Sequence, residues 1–290
     1  MAGILDLVGN TPLVELKKLN PNPRVKIFGK LEGHNPGGSV KDRAAKHMIS
    51  SALERGEIKK GDKLIEATSG NTGIALAMIS CLYGLEIELV MPSNSTRERT
   101  LTMEAFGAKV TLLENIETCR DYAESKAASG THFQLNQFAN PDNYMAHYLH
   151  TGPEIFGDTA GTVSHFVSSM GTTGTIMGTS RYLKEQNPAI QIVGCQPTEE
   201  SSIPGIRRWP VEYLPKIYDP KRVDRIIDVS QQDATILARK LAKEEGIFSG
   251  MSSGGAAWAA IKLAAELESG VIVFIVCDRG DRYLSSDLFG

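Results

Sequence analysis

The sequence KLIEATSGNTGIALAMISCLYG, residues 63 to 84, contains the pattern that decides the fold. Its first five residues are mostly apolar, which is typical of a short strand inside a sheet. Six small polar residues follow, and then an apolar run of helical length that ends at Gly84. The segment therefore predicts a strand, a loop and a helix in succession, which is the repeating unit of an α/β protein.

The same rhythm recurs along the chain. Several of the short runs are apolar almost throughout, as expected for strands covered on both faces. The predicted strands begin at Val25, Lys63, Glu86, Lys109, Val163, Ile190, Arg225 and Val271. Because helical patterns lie between them, and because 290 residues suffice for two domains, we expect an α/β protein with two doubly wound domains and mostly parallel sheets.

Composition excludes several classes of function. The formal net charge is only -3, so nucleic acid is not expected as a partner. The longest apolar run, from Val271 to Cys277, is far too short to span a membrane, and the first residues, MAGILDLVGNTPLVEL, show neither a basic stretch nor an apolar run of the length that a targeting leader needs. The four cysteines form no C-x-x-C pair, which argues against zinc clusters and a disulfide framework. We therefore expect a soluble cytoplasmic protein with reduced thiols.

A lysine occupies the first turn of a predicted helix. The segment NPGGSVKDR, residues 35 to 43, precedes a helical pattern that Gly56 ends, and it contains Lys41. The positive end of a helix dipole lowers the pKa of an amine and so favours its attack on a carbonyl. A lysine at a helix start is more often a solvated surface residue, so this interpretation depends on the neighbouring motifs.

Two further loops offer hydrogen-bond donors to anions. The loop TSGNTG, from Thr68 to Gly73, suits a small carboxylate, although its hydroxyls are equally typical of helix caps. The loop GTTGT, from Gly171 to Thr175, combines flexible glycines, hydroxyl groups and a helix start, and these suit a phosphate. Neither the dinucleotide-binding pattern nor the P-loop pattern is present, which weakens a nucleotide interpretation.

All of these loops are predicted to share one edge of the protein. The segment GMSSGG from Gly250 begins a helix, and CDRGDRYL from Cys277 follows the last apolar strand. In open α/β sheets, ligands bind at the carboxyl ends of the strands. The sequence therefore predicts a ligand site built from five loops.

The five loops together resemble those of a known family. NPGGSVKDR, TSGNTG, GTTGT, GMSSGG and DRGDRYL stand in the order found in the cysteine synthases, and the match runs from about Gly9 to Leu288. These are pyridoxal-phosphate enzymes of fold type II, similar in fold to the β subunit of tryptophan synthase. Two stretches, SSIPGIRRWP from Ser201 and CDRGD from Cys277, resemble the B type of the family.

The resemblance implies roles for individual residues. Lys41 would hold the cofactor as a Schiff base and later remove the α-proton of the substrate. The cofactor-binding residues would be Lys41, Asn71, Gly171, Thr172, Thr173, Gly174, Thr175 and Ser252. The residues that bind the substrate carboxylate would be Thr68, Ser69, Thr72 and Gln137. A neutral serine facing the pyridine nitrogen makes the ring a weaker electron sink, which favours β-elimination over transamination.

Four residues keep a structural alternative beside the functional one. Arg207 and Arg208 would bind a substrate oxyanion, but adjacent arginines in a loop are often only solvated charges. Cys277 and Asp278 would lie near the cofactor, but a thiol at the end of an apolar strand is by default a buried residue. His147 and His150 share a helical face without a nearby thiolate or carboxylate, so we expect no metal site.

The expected reaction is a β-replacement. O-acetyl-L-serine would react with sulfide or thiosulfate to give L-cysteine or S-sulfocysteine, together with acetate, and the enzyme would be a homodimer. Residues 35 to 145 would form the smaller, mobile domain, and residues 1 to 34 with 146 to 290 the larger one. Two alternatives stay open: a pyridoxal-phosphate-dependent serine or threonine dehydratase, and a regulatory homologue without activity, against which the intact Lys41 and phosphate loop argue.

Overall fold

Two sheets organise the computed structural model, which describes residues 3 to 68 and 70 to 290. The strands of the larger sheet lie in the order β1 (Leu13–Glu15), β2 (Val25–Leu31), β10 (Gly270–Val276), β7 (His165–Ser169), β8 (Gln191–Pro197) and β9 (Arg225–Val229). The strands of the smaller sheet lie in the order β5 (Lys109–Leu113), β4 (Glu86–Pro92), β3 (Lys63–Ala67) and β6 (Phe133–Gln134). Neighbouring strands are parallel except β1, which is antiparallel to β2.

Helices cover both faces of each sheet, as predicted for doubly wound domains. They are α1 (Lys41–Glu54), α2 (Asn71–Tyr83), α3 (Arg97–Ala105), α4 (Ile116–Ala128), α5 (Pro141–Ala146), α6 (Gly152–Asp158), α7 (Gly174–Gln186), α8 (Gln231–Glu245) and α9 (Met251–Glu266). A π-helical turn, His147–Thr151, joins α5 to α6. None of the helices in the described residues is long and apolar enough to cross a membrane.

Burial on both faces explains why the strands read as apolar runs. On β10, Ile272 and Phe274 pack with α8 and α9, while Val273 and Ile275 pack with α7. Alternate residues of a strand point to opposite faces, so a strand between two helical layers needs apolar residues at every position. All eight predicted strands are present. The two that were not predicted, β1 and β6, have only three and two residues, too few for a periodic pattern.

The end of β10 is joined to the segment that precedes α1. The N–H of Val40 donates to the carbonyl of Cys277 at 2.8 Å, and Ser39 forms an antiparallel bridge with Asp278. Since β10 lies inside the larger sheet, between β2 and β7, this contact fixes the start of α1 at the carboxyl edge of that sheet. The lysine at the first position of α1 is thereby placed beside the loops that follow β7 and β10.

Helix α7, which begins in the GTTGT loop, packs closely on helix α5. A Cβ atom at Gly178 would overlap the carbonyl oxygen of Tyr144, whereas a Cβ atom at Gly157 in α6 would meet nothing within 4 Å. Only a glycine allows this approach at position 178, because the opposing atom belongs to the backbone and cannot rotate away.

We predict that Gly178→Ala lowers the free energy of unfolding by about 1–3 kcal/mol, the usual cost of overpacking a rigid interior. Gly157→Ala is the matched control, and we expect it to be neutral or to stabilise by up to about 1 kcal/mol, because alanine favours helices. Urea unfolding of both variants and the parent measures the two effects. Equal stabilities of the two variants would contradict the close packing at Gly178.

Candidate active site

A cavity of about 800 Å³, part of it open to solvent, lies where loops from both sheets meet. It contains residues from each of the five motifs that the sequence singled out. The predicted site residues that line it are Lys41, Asn71, Thr72, Gln137, Gly171, Thr172, Thr175, Arg207, Ser252 and Cys277. The predicted site residue Ser69 lies outside the described residues.

Lys41 stands at the first position of α1, partly buried in the cavity wall. Burial lowers the pKa of its amine, while the nearby Cys277 and Asp278 act in the opposite direction. The dominant cause is therefore desolvation, whereas the sequence had suggested the helix dipole. Either cause has the same chemical effect, since a larger fraction of neutral amine is available to attack a carbonyl or accept a proton.

The loop between β7 and α7 has the features of a phosphate site. Thr173 adopts the left-handed conformation with φ 70°, and its buried Oγ1 has no hydrogen-bond partner in the described residues. The first N–H groups of α7 lack intrahelical acceptors, as at every helix start, and they carry the positive end of the dipole. A Cβ atom at Gly174 would overlap the side chain of Asn143. The unpartnered hydroxyl and the N–H groups are donors of the kind that an anion would accept hydrogen bonds from.

His147 supports this loop from the π-helical turn. Its Nδ1 lies 2.9 Å from Oγ1 of Thr151, and its Nε2 lies 3.3 Å from Oγ1 of Thr175. Burial, helped by the charge of Arg43, holds the pKa of His147 well below its usual value, so the ring is neutral. Its role in the fold is to position Thr175. His150 is exposed, and no group of three or more metal-ligating residues exists among the described residues.

The loop after β3 divides its hydroxyl groups between two tasks. Oγ1 of Thr68 accepts hydrogen bonds from the N–H groups of Gly70 and Gly73 at 3.1 and 3.2 Å, so this hydroxyl caps the start of α2 and does not line the cavity. Thr72 does face the cavity, and its hydroxyl donates to Oε1 of Gln137 at 2.8 Å. The structure therefore brings Thr72 and Gln137 together as a polar pair.

A buried carboxyl group that the sequence analysis missed fixes Gln137. The carboxylate of Glu66 accepts hydrogen bonds from the backbone N–H groups of Asn136 at 2.8 Å and Gln137 at 3.4 Å. The amide of Gln137 also donates to the carbonyl of Ala67 at 2.8 Å. Burial raises the pKa of Glu66 to about 8. The available signal was an acidic residue in a strand whose neighbours are apolar.

Asn71 is oriented by charged neighbours. Its Nδ2 donates to Oδ2 of Asp278 at 2.6 Å, and its Oδ1 accepts from Nη1 of Arg282 at 2.6 Å. The hydroxyl of Tyr283 donates to the same carboxylate oxygen at 2.7 Å. Tyr283 also lines the cavity, although the sequence analysis gave it no role. Asp278 thus fixes the orientation of the Asn71 side chain, which lines the cavity.

Ser252 and Cys277 form the floor of the cavity. Ser252 is buried in the first turn of α9, and its carbonyl accepts a hydrogen bond from Oγ of Ser169 at 2.7 Å. Burial raises the pKa of Cys277 to about 11, so this residue is a neutral thiol and not a thiolate nucleophile.

The two adjacent arginines point to different surroundings. Arg207 lines the cavity, and burial lowers the pKa of its guanidinium. Arg208 instead donates to the carbonyl of Pro197 at 3.0 Å and forms an ion pair with Asp228 at 2.7 Å. The structure therefore brings Arg207 to the site and leaves Arg208 outside it.

Comparisons with known proteins show the family of the chain. Residues 4 to 278 match the family model described as pyridoxal-phosphate dependent enzyme. The chain is 59% identical to cysteine synthase B of Pseudomonas aeruginosa, covering 99% of this chain and 97% of that protein. It is 55% identical to cysteine synthase B of Salmonella typhimurium, covering 98% and 94%. Cysteine synthase from Entamoeba histolytica superimposes with a TM-score of 0.92 at 39% identity, covering 100% of this chain and 90% of that one.

We predict that Glu66→Gln flattens the pH dependence of stability. Because the folded-state pKa of Glu66 is raised to about 8, the folded chain retains a proton that the unfolded chain releases, so stability falls as the pH rises from the ordinary carboxyl range toward 8. The glutamine carries no charge, so the decline should become shallower in the variant. Urea unfolding at pH 6 and pH 9 measures the slope, and Glu86→Gln, an exposed residue on β4, is the control. An unchanged slope in Glu66→Gln would contradict the raised pKa.

Proposed function

This chain belongs to the cysteine synthases, a group of pyridoxal-phosphate-dependent enzymes, and we propose that its cavity catalyses the β-replacement of O-acetyl-L-serine by sulfide, giving L-cysteine and acetate. The observation that carries this proposal is the convergence of three features in one cavity. These are a desolvated lysine amine, a helix start shaped for a phosphate, and the polar pair Thr72 and Gln137. An amino-acid substrate needs all three when the cofactor is pyridoxal phosphate.

The residues present fit that cofactor. The amine of Lys41 would hold it covalently through its aldehyde carbon. The unpartnered hydroxyl of Thr173 and the N–H groups at the start of α7 would bind its phosphate. Ser252 would face the pyridine nitrogen, and Asn71 would donate its second Nδ2 hydrogen to the phenolic oxygen. Each of these groups is a donor or nucleophile of the kind that the corresponding part of the cofactor requires.

When bound, pyridoxal phosphate withdraws electrons from the α-carbon of an amino acid and so makes the α-proton acidic. Once the amino group of the substrate has displaced it from the cofactor, Lys41 would accept that proton, which requires a neutral amine, and desolvation provides one. Thr72, Gln137 and the N–H groups at the start of α2 would bind the substrate carboxylate. Ser252 carries no charge and would not hold a proton on the pyridine nitrogen as a carboxylate would, which would favour loss of acetate from the β-carbon over transamination.

The donor of sulfur is a finer part of the proposal. A guanidinium group offers charge-assisted hydrogen bonds to the oxygens of thiosulfate, whereas sulfide has no such oxygens. Arg207 lines the cavity and supplies that group, so thiosulfate would also serve and would give S-sulfocysteine. Arg208, paired with Asp228 outside the cavity, would not contribute.

The remaining parts of the proposal concern context. We propose that the chain acts as a cytoplasmic homodimer on small-molecule substrates, in keeping with its membership of the family. Residues 35 to 145 contain all four strands of the smaller sheet, and we propose that they form a mobile domain which closes when the substrate carboxylate binds.

We predict that Lys41→Ala lowers kcat by more than about a thousandfold, because the proton acceptor and the covalent anchor of the cofactor are lost together. Lys46→Ala is the matched control on the same helix, since its amine donates to the carbonyl of Leu5 and does not line the cavity. Cysteine formation from O-acetylserine and sulfide is the assay. Substantial turnover by Lys41→Ala would remove the basis of the proposed function.

We predict that Arg207→Ala reduces kcat/KM for thiosulfate by roughly tenfold or more, the usual effect of losing a charge-assisted hydrogen bond in a shielded site, and leaves sulfide use nearly unchanged. Arg208→Ala should leave kcat/KM unchanged for both thiosulfate and sulfide. Both donors are measured on the parent and on the two variants. A parallel loss with both donors would mean that Arg207 is structural, and a parent that ignores thiosulfate would reject the wider donor range.

A further inference from the structure

An arginine on α4, the helix that packs on the smaller sheet, lies against three aromatic rings, two of which line the cavity. The guanidinium carbon of Arg120, on α4, is 4.5 Å from the ring centre of Phe138, 5.2 Å from that of Tyr213 and 5.9 Å from that of Trp209. Its Nη1 also donates to the carbonyl of Tyr213 at 3.3 Å. The rings of Phe138 and Trp209 meet edge to face at 5.5 Å. We call these four residues the aromatic clasp.

The clasp joins parts of the chain that are far apart in sequence. Trp209 and Tyr213 belong to the loop of residues 198 to 224, which connects β8 to β9 and contains only short 3-10 turns. Arg120 lies in the helix that packs on the smaller sheet, and Phe138 follows the residue that would bind the substrate carboxylate. The first half of this loop is anchored by the buried side chains of Ile203 and Ile206, and by the N–H of Arg207, which donates to the carbonyl of Met170 at 2.9 Å. Among the described residues, the part around Tyr213 has no such anchor in the core, so its position depends more on side-chain contacts such as those with Arg120.

Two residues of the clasp also contact the proposed active site. Trp209 and Phe138 both line the cavity, and the indole N–H of Trp209 donates to the carbonyl of Gly171 in the phosphate loop at 2.7 Å. The charge of Arg120 also acts on the buried carboxyl of Glu66, whose pKa it pulls downward against the effect of burial. A shift of the clasp would therefore displace one wall of the cavity.

We propose that Arg120 is a positioning residue that fastens the 198 to 224 loop to the smaller sheet and so keeps bulk water out of the reacting cavity. The inference rests on the proposed function for its kinetic part. Arginine suits this task because a planar guanidinium stacks on aromatic rings while it donates hydrogen bonds at its edge. Loss of the clasp would open the cavity, so that the unsaturated three-carbon amine left after loss of acetate would escape and be hydrolysed before the sulfur nucleophile adds to its β-carbon. The competing reaction consumes one O-acetylserine and one water and gives pyruvate, ammonia and acetate.

The first test follows Trp209 directly. The chain has two tryptophans, so a Trp258→Phe background leaves Trp209 as the only indole. In the cofactor-bound enzyme we expect Arg120→Met to shift the Trp209 emission to longer wavelength and to raise its quenching by acrylamide, because the ring gains contact with water. The matched control is Lys126→Met, which removes another cation over a ring on the same helix, 5.6 Å from the centre of Tyr122 and away from the cavity. It should change neither signal.

The second test is the ratio of pyruvate to cysteine formed from O-acetylserine and sulfide. We expect Arg120→Met to raise it by about tenfold, as for the loss of a desolvated cation–π contact, and Arg120→Lys, which keeps a cation but loses the planar guanidinium, to raise it less. Lys126→Met should match the parent. A general loss of stability would lower both products together and leave the ratio unchanged.

If Arg120→Met does not fold, Tyr213→Leu removes the loop side of the clasp and should raise the same ratio. An emission spectrum and a product ratio equal to those of Lys126→Met would overturn the proposal. If the parent itself makes no cysteine, the proposed function fails, and the fluorescence measurement alone still decides whether Arg120 fastens the loop.

Discussion

The hydrogen bond from the N–H of Val40 to the carbonyl of Cys277 is the contact on which the arrangement of the site depends. It attaches the segment before α1 to the end of β10, a strand in the interior of the larger sheet. Lys41, the next residue, is thereby held beside the loop that follows β7 and opposite the start of α9. A lysine on an unattached loop would reach the same region only part of the time, whereas catalysis needs its amine within bonding distance of one atom.

Three buried acids near the site differ in the direction in which their pKa values are shifted. Glu32 is buried, and burial alone would raise its pKa, but the charge of Arg43 on α1 holds the pKa below its usual value. The two side chains therefore form a buried ion pair. Asp42 and Glu66 lie closer to the ligand loops, and burial raises their pKa values to about 7 and about 8. A carboxyl group with a raised pKa carries less negative charge near neutral pH, so it would repel a phosphate or a substrate carboxylate less than a fully ionised one would.

An element could be predicted from the sequence where its structure depends on neighbouring residues in the chain, or where both of its faces are buried. The strand around Ile272 was predictable because its burial requires apolar residues at every position, and the GTTGT loop was predictable because its residue types suit only a few backbone shapes. What depends on partners from elsewhere in the chain was not predictable. The direction of Arg208 is set by Asp228 on β9, and the lowered pKa of Lys41 is caused by burial that no local pattern records. Strand β6 has only two residues, and it is defined by its pairing with β3, which no local sequence pattern records.

The left-handed conformation of Thr173 has a consequence for how this loop can change during evolution. A β-branched residue with φ 70° carries strain of about 1–3 kcal/mol, which glycine at the same position would not have. Glycine, however, would remove a buried hydroxyl that has no partner among the described residues. A search for thermostable variants would be drawn to this position, and, under the proposed binding of phosphate by that hydroxyl, stability gained there would come at the expense of ligand affinity.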